Sequence, residues 1–241
     1  MSIPVFFSAD AGAAAHAFDT TRKPGQVAAS LQERPIPGIE LADAASADDV
    51  LLETVHTSEY VAAIRSGEPR ALAESSELPW DQGINSMARA SVGCTVAAAS
   101  AAMRDGRAGA LATGLHHARS ERGDGWCTFN GLAIAARAAL ASGAQRVLVL
   151  DLDAHCGGGT HAVLAEDERC RQVDIATDPY DTYPATQRWS LDLVTDASAY
   201  LEVLERRLAG VLDDAAPSLV LYNAGMDCHH GSADGALAGL S

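Results

Sequence analysis

Short apolar runs alternate with longer, helix-patterned stretches along the 241 residues. Ile3-Pro-Val-Phe-Phe7, Ala108–Thr113, Arg146–Asp151, Val173–Ala176 and Ser218–Asn223 have the length and apolar content of buried strands. Between them, Ile84–Met103 is long and rich in small residues, as a buried helix requires, and Phe129–Ala141 and Thr160–Ala165 predict two more. Asp196–Ala215 places Tyr200, Val203, Leu204, Leu208 and Leu212 on one side of a helix. Ala47–Val55 and Ser58–Ser66 predict short helices, the second capped by Ser58, and a weak helix is expected around Pro24–Glu33. Pro69–Gln82 and His116–Gly125 follow neither period and predict loops. The alternation, without internal repeats or a linker, predicts one α/β domain over 1–241 with a mostly parallel sheet.

Composition narrows the function classes. Apolar residues make up 48% of the chain, enough for a core, and the formal charge is −15. Such a field repels nucleic acid and anionic membrane, so neither is expected as a partner, whereas a cationic substrate fits. Five cysteines (Cys94, Cys127, Cys156, Cys170 and Cys228) lack framework spacing, no signal peptide opens the chain, and no apolar run approaches ~18 residues. Reduced thiols in a cytoplasmic protein are the expectation.

Chemistry concentrates at strand ends. Asp151, Asp153 and His155 follow the run Val147–Leu150 at alternate positions, which on an extended chain share one face. Two carboxylates and an imidazole leaving the carboxyl end of a buried strand form a divalent-metal ligand set. Asp227, after Tyr222-Asn-Ala-Gly-Met, could complete a triad with Asp153 and His155, Gly225 letting the backbone turn away. Asp151 is then spare to hold a second group, expected in Gly114-Leu-His-His-Ala118, where adjacent imidazoles suit proton transfer.

These segments resemble a known family. Val55-His-Thr-Ser-Glu-Tyr60, His116-His117-Ala118, Gly125-Trp-Cys-Thr-Phe-Asn130, Asp151-Leu-Asp-Ala-His-Cys-Gly-Gly-Gly-Thr160 and Asn223-Ala-Gly-Met-Asp227 stand in the order and spacing of the histone deacetylase superfamily, which includes acetylpolyamine amidohydrolases. Thr182-Tyr-Pro184 and the Asp-Leu-Asp-Ala-His wording look most like class IV deacetylases. The resemblance implies an arginase-like open α/β sheet flanked by helices and a zinc-dependent amide hydrolase acting on acyl-lysine, acyl-polyamine or a similar amine. It implies zinc ligands at Asp153, His155 and Asp227, water activation and leaving-group protonation at His116 and His117, and a supporting carboxylate at Asp151. It further implies acyl-channel walls at Trp126 and Tyr183, a lining carbonyl at Gly125, and a monovalent cation such as K+ near Asp151, Asp153 and His155. Ligand type alone also admits Fe2+ or Co2+.

Two departures from the family pattern set further expectations. Gly158 stands where a polar side chain supports the second histidine, which would leave His117 poorly oriented. The family continues through another strand to a glycine-rich turn bearing an oxyanion-donating tyrosine, and no Gly-Gly-Tyr stands in this chain, so the fold is expected to be C-terminally shortened. Losing such a donor costs roughly 10²–10³-fold in rate, and Tyr183 is the nearest substitute. An impaired, metal-binding acyl-chain receptor is the rival reading. Self-association is expected to cover core left exposed by the shortening. Arginase-type binuclear chemistry lacks its further acid at Gly157, nucleotide binding at Gly157–His161 lacks a Walker lysine, and Cys156 is an incidental thiol rather than a nucleophile.

Overall fold

The computed structural model describes residues 2–14, 19–113, 115–214, 216–233 and 235–241, and the side chains of 19, 20 and 212–214 lie outside the description, Leu212 among them. Gly114 also lies outside it. The chain forms two compact units, Met1–Ala141 and Ser142–Ser241.

The first unit holds three parallel strands in the order β2-β1-β3: β1 (Ile3–Phe7), β2 (Ile39–Asp43) and the two-residue β3 (Gly109–Ala110). Helix α1 (Asp19–Glu33) is longer than its composition predicts, and β2 was not expected at all. Helices α2 (Asp49–Leu52) and α3 (Ser58–Ser66) follow. The cap of α3 is Thr57, not Ser58: the Thr57 side chain accepts from the Tyr60 amide, so Ser58 is already the first helical residue. A turn of helix, α4 (Arg70–Ala73), interrupts the expected 69–82 loop. Helix α5 (Gln82–Asp105) packs against α6 (Gly131–Ala141), which is buried on all sides over Leu132, Ala133, Ile134, Ala135 and Ala136. Small side chains on both helices permit that close approach.

In the second unit, four parallel strands run in the order β6-β5-β4-β7: β4 (Val147–Asp151), β5 (Cys170–Ala176), β6 (Trp189–Leu193) and β7 (Leu219–Asn223). Strand β6 was not expected from its sequence. Helix α7 (Gly158–Leu164) follows β4, and α8 (Ala197–Asp214) lays Tyr200, Val203, Leu204 and Val211 on Leu148, Val173 and Ile175. Each fully buried aliphatic side chain of this kind stabilises by about 1.5–3 kcal/mol. After β4 the chain builds outward through β5 and β6, then returns to place β7 on the other side of β4. Such a reversal of strand order opens a crevice at the carboxyl ends, where ligands of open α/β sheets bind.

Candidate metal centre and proton-transfer residues

The crevice between β4 and β7 receives the predicted metal ligands. The register pairs Asp151 with Asn223, so Asp153 and His155 leave β4 beside the segment that carries Asp227. One ligand atom from each of Asp153, His155 and Asp227 lies within 4.8 Å of the others. Nδ1 of His155 stands 3.3 Å from Asp153 Oδ1 and 3.1 Å from Asp227 Oδ2. The three side chains are each about one-fifth exposed, open enough for an ion to enter and closed enough to limit water.

Local backbone bonds hold this geometry. Asp227 Oδ1 accepts from the Ala154 amide at 2.9 Å and Asp153 Oδ1 from the His155 amide at 3.1 Å. Gly225 is required by close approach rather than by a turn, since a Cβ there would meet Asp153 Oδ2 at 2.7 Å and press on its backbone. Hydrogen bonds from Asp153 and Asp227 push the His155 pKa up to about 10 despite partial burial. Two carboxylates around one imidazole nitrogen favour a positive charge at this position. The donor set fits a divalent metal.

Asp151 has a different environment. It is fully buried, and its Oδ1 accepts from Asn223 Nδ2 at 2.8 Å and from the Asp153 amide at 3.2 Å. Two donors keep its carboxylate in one orientation, as a supporting acid requires.

In the first unit, His116 and His117 are both buried, their rings 3.9 Å apart between centroids. Asn130 holds their loop: Nδ2 donates to the carbonyls of Ala118 at 3.0 Å and His116 at 3.4 Å, while Oδ1 accepts from the Ala133 amide at the start of α6. The Asn130 amide in turn donates to Nε2 of His56 at 2.9 Å, and His56 Nδ1 contacts the Arg119 carbonyl at 2.9 Å. Two motifs of the resemblance thus prove to be one buried brace under the tandem histidines. No local signal marks Asn130 for this role, because apart from Ala133 its partners lie 12 to 74 positions away.

Gly125 and Trp126 both adopt left-handed φ, +46° and +61°. That is a costly conformation for tryptophan, and it persists because the Trp126 amide donates to the Ser76 carbonyl and the ring packs on Leu78, Ile84 and Met87.

Tyr183 departs from both of its expected roles. It is 9% exposed and stacked on His161 at 4.5 Å, and its hydroxyl donates to the Ser190 carbonyl and accepts from Gln172 Nε2, each at 3.0 Å. An oxyanion donor needs a hydroxyl aimed at the reacting carbonyl, and this one is committed to the interior. The aromatic beside the triad is Tyr180, 40% exposed, its ring perpendicular to His155 at 6.1 Å. The loop that carries it is tied to the metal strand through Cys156 N to Tyr180 O at 3.0 Å, and through Thr177 N and Asp178 N to Ala154 O.

The backbone at Gly158 lies against Asp181. A Cβ there would lie 2.6 Å from Asp181 Cγ, and Asp181 Oδ2 accepts from the Gly159 amide at 3.0 Å. A carboxylate from the following loop occupies the space that a side chain at 158 would use, and Asp181 takes a left-handed φ of +59° to put it there.

With this geometry in place, comparison with known proteins defines the class. Residues 16–239 match the histone deacetylase domain, and the chain belongs to that family. It is 37% identical over 199 residues to an uncharacterised protein of Picosynechococcus, covering 79% of this chain and 65% of the relative. It is 31% identical to a probable deacetylase of Methanothermobacter thermautotrophicus, over 77% of this chain and 61% of the relative. Against histone deacetylase 2 of Arabidopsis thaliana it is 31% identical, over 86% of this chain and 56% of that protein. The chain therefore spans somewhat less than two-thirds of these relatives' lengths. The fold is likewise shared: the HD domain of HDA15 superposes with a TM-score of 0.82 at 21% identity, covering 98% of this chain and 76% of that one. An acetylpolyamine aminohydrolase from Burkholderia pseudomallei gives 0.74 at 20% identity, over 96% and 84%. Among the described residues, no helix is long and apolar enough to cross a membrane.

Proposed function

We propose that this chain is a metal-dependent amide hydrolase that removes an acyl group from acyl-lysine, an acyl-polyamine or a similar amine. The observation that carries the reading is the convergence of Asp153, His155 and Asp227 at the β4–β7 crevice in a member of the deacetylase family. The three residues would hold Zn2+, with Fe2+ or Co2+ compatible with the same donors. When bound, the ion supplies Lewis acidity toward the acyl carbonyl and toward water.

The remaining roles belong to the chain's own groups. Asp151, fixed by Asn223, is the supporting acid of the proton-transfer apparatus. His116 takes the proton from the attacking water and His117 delivers one to the departing amine, roles that rest on their motif. Asp181 provides the carboxylate that the resemblance expects at position 158. In the second unit, Tyr180 rather than Tyr183 offers aromatic surface to the methylene chain of the substrate, and the same role for Trp126 rests on its motif. The K+ site near Asp151 remains part of the same proposal. A formal charge of −15 suits a cationic amine.

The test is metal analysis joined to an acyl-amine panel. The expected result is one divalent ion per chain and amine release from an acetyl-lysine peptide or an acetylpolyamine, abolished by a chelator and restored by zinc. Full metal content in an Asp153→Ala/Asp227→Ala variant, or no release from any acyl-amine by zinc-loaded protein, would overturn the reading.

A further inference from the structure

At the opposite end of the second sheet from the metal ligands, a cavity of about 220 Å³ lies between α8 and the amino ends of β5 and β6. Four arginines line it: Arg171 on β5, Arg188 just before β6, and Arg206 and Arg207 on α8, with Ser190 and Val211 between them. This is unexpected in a chain with 17 basic against 32 acidic residues. Asp192 pairs with two of these arginines, leaving one positive charge over: Arg207 meets it through Nε at 2.5 Å and Nη2 at 3.0 Å, and Arg206 at 3.8 Å. Two guanidinium groups thus share one carboxylate. Arg188 Nη2 donates to the Ala165 carbonyl at 2.6 Å, a partner without formal charge.

We infer that this cleft binds a small polyanion of the pyrophosphate or phosphate-monoester class. Guanidinium forks match phosphate oxygens in pairs, and several forks facing one cavity suit a multiply charged ligand. The volume lies below the roughly 300–1,000 Å³ of pockets for larger organic ligands, which favours a compact anion over a nucleotide-sized one. The inference is independent of the metal reading, since the cleft is at the amino ends of strands whose carboxyl ends flank the metal crevice.

Calorimetric titration of chelator-treated protein with inorganic pyrophosphate tests it. Saturable one-to-one binding is expected, weakened about tenfold or more by Arg206→Gln and further by Arg171→Gln/Arg206→Gln, as loss of charge-assisted contacts requires. Arg104→Gln, a control at the exposed carboxyl end of α5, leaves it unchanged. The Arg206 side chain is 58% exposed, so its single substitution preserves the fold and decides the matter even if the double variant does not fold. Absence of saturable binding, equal loss in Arg104→Gln, or binding of a glutamate-rich peptide with none of pyrophosphate overturns the proposal. Binding lost in Asp153→Ala but intact in Arg206→Gln would also overturn it, by placing the anion elsewhere. None of these outcomes bears on whether the Asp153, His155 and Asp227 cluster holds a metal.

Discussion

His155 and His56 are imidazoles from two motifs of one family, and their surroundings drive them in opposite directions. His155 stands at the mouth of a crevice between two carboxylates that push its pKa up to about 10. His56 is 3% exposed, and burial pushes its pKa down to about 4. Its Nε2 must accept from the Asn130 amide, which requires a neutral ring. The first histidine sits among carboxylates that favour a positive charge, whereas the second sits among neutral groups that favour an uncharged ring. Residue type does not separate a ligand from a brace. Whether the surrounding charges are balanced does.

Breaking the open cluster has the largest expected effect. Asp153→Ala and Asp227→Ala each leave His155 with a single carboxylate, and metal affinity should fall by more than the roughly 10–100-fold typical of outer-shell substitutions. Asp151→Asn keeps both metal carboxylates and alters only the supporting acid, so its loss should stay within that 10–100-fold range. Metal titration of the three variants by competition with a chromophoric chelator gives the ranking. Equal affinities across the set would remove the division of labour between Asp151 and the triad.

Protonating the closed cluster comes next. His56 in the unfolded chain takes a proton near pH 6.5, but folded it resists until about pH 4. Between these values the unfolded state binds more protons, so the stability from neutral His56 is full above pH 6.5 and is lost as pH falls toward 4. A shift of this size corresponds to about 3 kcal/mol, with a slope near 1.4 kcal/mol per pH unit inside the window. His56→Gln retains an acceptor for the Asn130 amide and cannot titrate. Urea unfolding between pH 7 and 4.5 should show the wild type losing stability faster than this variant, and parallel curves would refute the assignment.

The part of this contrast legible from sequence was the open half. Alternation after an apolar run places Asp151, Asp153 and His155 at the end of β4, and a second apolar run ending in Asn223 places Asp227 near them, because both patterns are local. The braces were not legible. Asn130 acts through His56, 74 positions away, and the loop around 116. Strands β2 and β6 are short and lie at sheet edges, and their pairing is settled by β1 and β5 rather than by their own composition. The neighbour of Gly158 was not legible either: Asp181, 22 positions from the amide of Gly159 that it accepts from, packs against it.

The smallest expected effect sharpens the contrast within a single loop. Tyr183 is closed, its hydroxyl bonded to Ser190 and Gln172, while Tyr180 is open beside His155. Tyr183→Phe removes the hydroxyl that donates to the buried Ser190 carbonyl and should cost about 1–2 kcal/mol of stability, with binding of a hydroxamate probe to metal-loaded protein unchanged. Tyr180→Ala, at an exposed site, should alter stability by less than about 0.5 kcal/mol. It should weaken the probe about two- to tenfold, the range of one aromatic contact worth roughly 0.5–1.5 kcal/mol. Thermal unfolding and probe titration on both variants decide between the tyrosines. If Tyr183→Phe weakened the probe and Tyr180→Ala did not, the channel wall would return to Tyr183 and its buried hydrogen bonds would have to open when ligand binds.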